Sequence, residues 1–257
     1  LVAVERRAAH GGGGVELQGS LAVGGGDGGG DSPTTAPAPK EFQVRTAYLN
    51  KLTMSSGVKK FKLTGNLVER GLTESISGDG TEDVGVATAA TLGSMPTQKI
   101  TTVVRGSAVV ANRNVSLDSI KEMHLDSNNN PIALISNEYN DENGYLYLLT
   151  TSITPIPQTA RINDSGSLYT ANRYRTNTST GSTLVGAYVA SYVIQEDTAT
   201  TALFVLTGTL KDTAGKTLMT ETERYRITQS GLIAKISKTV VSYSSNFTAV
   251  TTLNTNY

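Results

Sequence analysis

The residues of this chain alternate with a period of two. In Phe61-Lys62-Leu63-Thr64-Gly65-Asn66-Leu67 the apolar positions fall on one side and the polar positions on the other. That is the pattern of a half-buried β-strand. The same frame returns as Phe204-Val205-Leu206-Thr207-Gly208-Thr209-Leu210, with Phe, Leu, Thr, Gly and Leu kept. The glycine inside each copy marks a bulge, a bend or the close approach of a neighbour. No stretch presents an apolar stripe of period 3.6, so no helix is expected.

Further strands follow from the same reading. Gly144–Leu149 and Tyr188–Ile194 are apolar on both faces and are expected to be central. Met123–Leu125 and Pro131–Ile135 flank Asp126-Ser127-Asn128-Asn129-Asn130, and Arg224–Thr228 and Leu232–Ile236 flank Gln229-Ser230-Gly231. Both are expected hairpins, because their turn residues tolerate left-handed backbone. Phe247–Tyr257 alternates again as a closing strand. The fold class is therefore all-β: two related antiparallel sheets arranged as a β-sandwich or a partly closed barrel.

A second echo supports relatedness within the chain. Ile132-Ala133-Leu134-Ile135-Ser136 returns as Ile233-Ala234-Lys235-Ile236-Ser237. A Tyr also precedes each heptapeptide, at Tyr48 and Tyr192. The expected organisation is an extended arm over residues 1–40 and a β domain over 41–257. The β domain would contain two related units, about 41–140 and 165–257. The first unit is longer, and its extra residues fall mainly in Glu69–Ile120.

Residues 1–40 have a different composition. Gly11–Gly14, Gly24–Gly26 and Gly28–Gly30 are glycine runs, and Ser32–Lys40 is rich in Pro, Thr and Ala. This reads as a flexible tether with a stiffer spacer before Glu41. Leu1–Val4 and Val15–Leu17 are short strand-like pieces between the glycines. Leu1–Ser20 lacks the apolar core of a secretory leader.

Composition narrows the function classes. The chain has 257 residues, 22 basic and 22 acidic, giving no formal net charge. A duplex-binding domain would show a basic footprint, and a membrane-surface module would be basic too. There is no cysteine, which removes disulfides, thiolate catalysis and iron–sulfur clusters. No run of about 18 apolar residues offers a transmembrane helix.

Leu21-Ala22-Val23-Gly24-Gly25-Gly26-Asp27 resembles a bacterial lipoprotein processing site with its Gly-rich tether, but Val23 stands where the lipidated Cys would be. A lipid cannot be attached to Val23 through a thioether. In the C-terminal third, Gly166-Ser167-Leu168, Ser191–Thr198 and Thr220–Ile227 resemble uncharacterised proteobacterial cell-envelope lipoproteins. The resemblance implies location in the cell envelope or outside the cell. It carries no active site with it.

Few residues offer chemistry. His10 lies in the arm, and His124 sits between Met123 and Leu125 on a strand. A Ser–His–acid triad would have to use His124, yet no G-x-S-x-G elbow is present; a paired or solvent-facing strand histidine is expected instead. Asp79…Glu82-Asp83 and Glu138…Asp141-Glu142 match no calcium loop and read as solvated turns. Arg-Tyr-Arg occurs at Arg173–Arg175 and Arg224–Arg226, read as Tyr in the core and Arg in solvent, paired with Glu221 or Glu223. No catalytic, cofactor-binding or metal-binding residue is assigned.

The expected function is a non-enzymatic structural or adhesive protein of the envelope or extracellular space. Its partners would be copies of itself or another surface protein, without nucleic acid. The arm could build a fibre by adding a strand to a neighbour's open sheet edge. Two alternatives remain: an outer-membrane β-barrel, and an envelope glycan hydrolase using an acidic pair.

Overall fold

The computed structural model describes residues 40–53, 56–137, 146–175, 183–244 and 247–254. The arm over residues 1–39, the acidic run 138–142 and the last three residues lie outside the described residues.

The described residues open with a helix, α1 (Val44–Thr53), and continue as thirteen strands. These are β1 (Gly57–Glu69), β2 (Leu72–Val84), β3 (Thr88–Leu92), β4 (Met95–Val110), β5 (Arg113–Leu125), β6 (Pro131–Ser136) and β7 (Leu146–Ile153). Then come β8 (Ser165–Tyr174), β9 (Leu184–Glu196), β10 (Thr201–Lys211), β11 (Thr217–Thr228), β12 (Ile233–Tyr243) and β13 (Phe247–Asn254). Twelve of them form a closed antiparallel barrel, and β3 is one extra strand. The sheet is closed where β1 meets β13, with Leu63 opposite Leu253 and Leu67 opposite Ala249. Of the two arrangements the sequence suggested, the barrel is the one adopted, and it is one continuous sheet.

Strand alternation decides which side chains fill it. Phe61, Leu63 and Leu67 of the first heptapeptide are buried, as are Phe204, Leu206 and Leu210 of the second. Both glycines mark close approach. The carbonyl of Val250 lies where a Cβ on Gly65 would go, and the Tyr188 ring lies where one on Gly208 would go. The hairpins at Asp126–Asn130 and Gln229–Gly231 join β5 to β6 and β11 to β12.

The helix departs from the all-strand expectation. It sits at the end of the barrel where β11 turns into β12. Phe42 exchanges backbone hydrogen bonds with Ala160 at 2.9 and 3.0 Å, and the Asn50 side chain donates to the Gly231 carbonyl at 3.0 Å. Gly231 has φ of +85°, and a Cβ there would meet Thr46 at 2.8 Å. Turn geometry and helix contact both demand glycine at that position.

Two apolar clusters close the interior. One gathers Phe42, Val44 and Ala47 with Ile194, Phe204 and Ile227 at the helix end. The other gathers Phe61, Leu67, Ile76, Val110 and Leu117 near the opposite turns. Between them the filling changes character.

The outer face mixes hydroxylic and charged residues with exposed Val68, Val109, Ile120 and Val250. A cross-strand row runs from Thr64 through Thr252, Thr239, Thr222 and Thr207 to Ser191. Thr239 and Thr252 share a hydrogen bond at 3.2 Å. Beside that row, exposed Lys62 stands opposite Asp79, and exposed Arg105 opposite Asp118.

Candidate functional site

The middle of the barrel holds a cavity of about 220 Å³. Its lining comes from α1 and from strands around the whole wall, because every second residue of each strand points inward. Leu134, Leu148, Leu206, Leu210 and Met219 supply an apolar side. Glu82, Glu221 and Glu223 line it together with Lys51, Lys59, Lys121, Lys235 and Lys238.

Three ion pairs organise these charges. Lys51 of α1 meets Glu223 of β11 at 2.7 Å, Lys238 of β12 meets Glu221 of β11 at 2.9 Å, and Lys235 of β12 meets Glu82 of β2 at 3.0 Å. The first fixes the helix to the wall. The Tyr225 hydroxyl donates to Glu223 at 3.0 Å, and the Lys51 ammonium lies 5.5 Å from the centre of the Tyr225 ring. Buried charges are tolerated when paired and hydrogen-bonded in this way.

The electrostatics follow from the pairing. Burial alone would push the Glu223 carboxyl up, but Lys51, Lys235 and Lys238 hold it well below the usual carboxylate range. Glu82 shows the same balance: burial raises it, Lys235 and Lys238 lower it, and the net shift is downward. Burial, aided by Glu223, raises the Tyr48 hydroxyl to about 12. Burial likewise keeps Tyr169, Tyr188 and Tyr225 protonated far into the alkaline range. Tyr169 and Tyr188 stack with ring centres 5.9 Å apart. At neutral pH Glu82 and Glu223 are therefore ionised, and the phenols of Tyr48, Tyr169, Tyr188 and Tyr225 are neutral.

The residues singled out in the sequence are distributed differently from expectation. Asp79, Glu82 and Asp83 lie on β2 rather than in a turn; Asp79 and Asp83 face solvent and Glu82 enters the cavity. Glu221 and Glu223 also face inward, so they do not pair with Arg224 or Arg226. Arg226 instead forms a two-pronged pair with Asp197, at 2.6 and 3.1 Å. Tyr225 is buried as expected, but Tyr174 packs against Tyr147 with ring centres 6.0 Å apart. His124 is buried, and its Nδ1 lies 3.0 Å from the Thr97 hydroxyl. Burial, partly offset by Glu122, lowers its pKa. Among the described residues no group of three His, Asp or Glu side chains could hold a metal ion.

Glu69–Ile120 contributes a second feature. β3 follows β2 along the same side of β4, pairing Thr88 with Lys99 through Leu92 with Met95. β2 reaches only as far as Val84 opposite Thr102. The β3–β4 hairpin thus projects past the barrel rim. Among the described residues, nothing pairs with the other edge of β3.

Compared with protein-family models, curated proteins and solved structures, the chain matches none.

Proposed function

We propose that this is a non-enzymatic structural or adhesive protein of the cell envelope or extracellular space, joined to copies of itself by strand addition at β3. The observation that carries this reading is the unpaired edge of β3. Closing a barrel removes sheet edges, and an open edge offers unpaired N–H and C=O groups to another strand. β3 is short and Thr- and Ala-rich, with no charged side chain along Thr88–Leu92 to repel a partner. The strand-like pieces Leu1–Val4 and Val15–Leu17 of the arm are the proposed donors. The envelope location rests on the lipoprotein resemblance and the Gly-rich arm.

The test is assembly. Electron microscopy and light scattering of concentrated protein should show fibres or oligomers from the full chain. Protein lacking residues 1–40 should be monomeric, as should Ala89→Lys/Thr91→Lys, which charges the edge. Monomers of the full chain at high concentration would end this reading.

An outer-membrane barrel is favoured by one observation, an even-numbered closed antiparallel sheet with charged groups in the middle of its interior. The outer face weighs against it. Lys62 and Arg105 point outward, and a basic residue facing lipid costs about 2–4 kcal/mol at the bilayer midplane. Monodisperse protein without detergent would decide for the water-facing barrel. Glycan hydrolysis needs a carboxylic acid with a raised pKa, whereas Glu82 and Glu223 are shifted down.

A further inference from the structure

We infer that the barrel cavity is a binding site for a small neutral phenol, its ring against Leu134, Leu148 and Leu210 and its hydroxyl on the hydroxyl of Tyr48.

The first ground is a polar group without an answer. Tyr48 of α1 lines the cavity, and among the described residues its hydroxyl makes no hydrogen bond. The other interior tyrosines differ. The Tyr225 hydroxyl donates to Glu223, and the Tyr169 and Tyr188 hydroxyls bond to each other. A phenol is both donor and acceptor, and a buried one left unpaired is costly. Burial and Glu223 raise the Tyr48 pKa to about 12, so at neutral pH it offers both functions. Tyr48 and Tyr169 lie close enough to affect each other's ionisation. Tyr169 in turn packs on the apolar cluster of Leu148, Ala171 and Leu210. The lone hydroxyl therefore stands at the border of the apolar wall.

The second ground is charge. Glu82, Glu221 and Glu223 are each engaged by a lysine at 2.7–3.0 Å. Lys59 and Lys121, the remaining lysines of the lining, are engaged as well. An ion entering the cavity would have to break a pair or bring an unpaired charge into the interior, and either is costly. A neutral guest does neither.

The third ground is size and surface. A volume of about 220 Å³ holds about seven water-sized groups at about 30 Å³ each, and an apolar cavity of about 150 Å³ already holds benzene. Phenol, with about seven non-hydrogen atoms, matches that count. Leu134, Leu148 and Leu210 border the space together with the rings of Tyr169 and Tyr188, and aromatic guests pack well on aromatic rings. An apolar lining with a few placed polar groups is the usual make-up of a ligand site.

The experiment is calorimetric titration of the full chain at neutral pH with phenol, toluene and cyclohexanol. The three are alike in size; toluene lacks the hydroxyl and cyclohexanol lacks the aromatic ring. Phenol should bind one-to-one, at least about tenfold more tightly than toluene, and more tightly than cyclohexanol. The bulkier 4-tert-butylphenol should not bind. Tyr48→Phe, which removes only the oxygen, should weaken phenol at least about fivefold and leave toluene unchanged. No saturable phenol binding at millimolar concentration, equal affinity for phenol and either analogue, or undiminished phenol binding by Tyr48→Phe would overturn the inference. The edge variant Ala89→Lys/Thr91→Lys should bind phenol like the parent chain, because β3 lies outside the barrel. Loss of phenol binding in that variant would move the site to the edge and overturn the inference too, whereas assembly can fail without touching it.

Discussion

Lys235 on β12 reaches Glu82 on β2 through the interior of the barrel, Nζ to Oε2 at 3.0 Å. The two strands are not neighbours: β13 and β1 stand between them in the sheet. This bond braces the wall from inside as a strand pair cannot. Lys235 keeps 11% of its side-chain exposure and Glu82 keeps 22%, so breaking the pair leaves a largely desolvated charge. Lys235→Met should destabilise the protein by about 3 kcal/mol. Lys235→Met/Glu82→Leu should recover most of that loss. Urea unfolding of the single and double variants measures both, and additive losses would contradict the pairing.

Acid should loosen the barrel through its interior carboxylates. Glu82 and Glu223 have folded-state pKa values below the ordinary 4.5. A depressed carboxylate stabilises the fold fully above its unfolded pKa, and that contribution fades as pH falls through the folded value. Stability is therefore expected to drop below about pH 4.5. Glu223→Gln should be less stable at neutral pH, with a flatter decline in acid. Urea midpoints measured across that range check the slope.

The glycine of the second heptapeptide should not accept a methyl group. A Cβ on Gly208 would lie 1.8 Å from the Tyr188 hydroxyl oxygen. That ring cannot swing aside without disturbing its stack and hydrogen bond with Tyr169. Gly208→Ala is expected to cost about 1–3 kcal/mol, the usual range for overpacking. Gly208→Ala/Tyr188→Leu should recover part of it. Thermal unfolding distinguishes the two, and an unchanged melting temperature in the single variant would refute the contact.

The helix end should depend on one anchor. Phe42 is 1% exposed and belongs to the cluster with Phe204 and Ile227. Phe42→Ala should cost about 3–5 kcal/mol. Hydrogen exchange should then speed up in α1 before it does in β9 or β10. Uniform acceleration would mean that the helix and barrel unfold as one unit.

The strands were legible in the sequence where one face was apolar and the other polar. β1 and β10 show this, and so do the turns Asp126–Asn130 and Gln229–Gly231. The interior charges were not legible. In β11, Glu221 and Glu223 alternate with Thr220, Thr222 and Arg224, so both faces look polar and alternation cannot tell inside from outside. Only the surrounding strands make the glutamate face interior. The helix was hidden for a related reason. Val44–Thr53 is short, contains β-branched Val44, Thr46 and Thr53, and places Lys51 and Asn50 against protein groups rather than water. Its inward face is thus partly polar, and no clean apolar stripe survives. Closure was beyond local pattern, because β1 and β13 come from opposite ends of the β domain.

That closure gives the ring a seam. Every other barrel pairing joins strands close in the chain, but Lys62 opposite Asn254 through Glu69 opposite Phe247 join its two ends. Bringing so distant a pair together costs about 4–5 kcal/mol in loop entropy if nothing between them is yet ordered, and far less once the intervening strands stand in place. The order of events follows. The sheet is expected to grow as neighbouring hairpins and to zip shut last along β1 and β13. Run backwards, the same line is expected to part first, and a pull from the N-terminal side meets the Phe42–Ala160 bonds and the Lys51–Glu223 pair before it reaches β1, one lip of that seam.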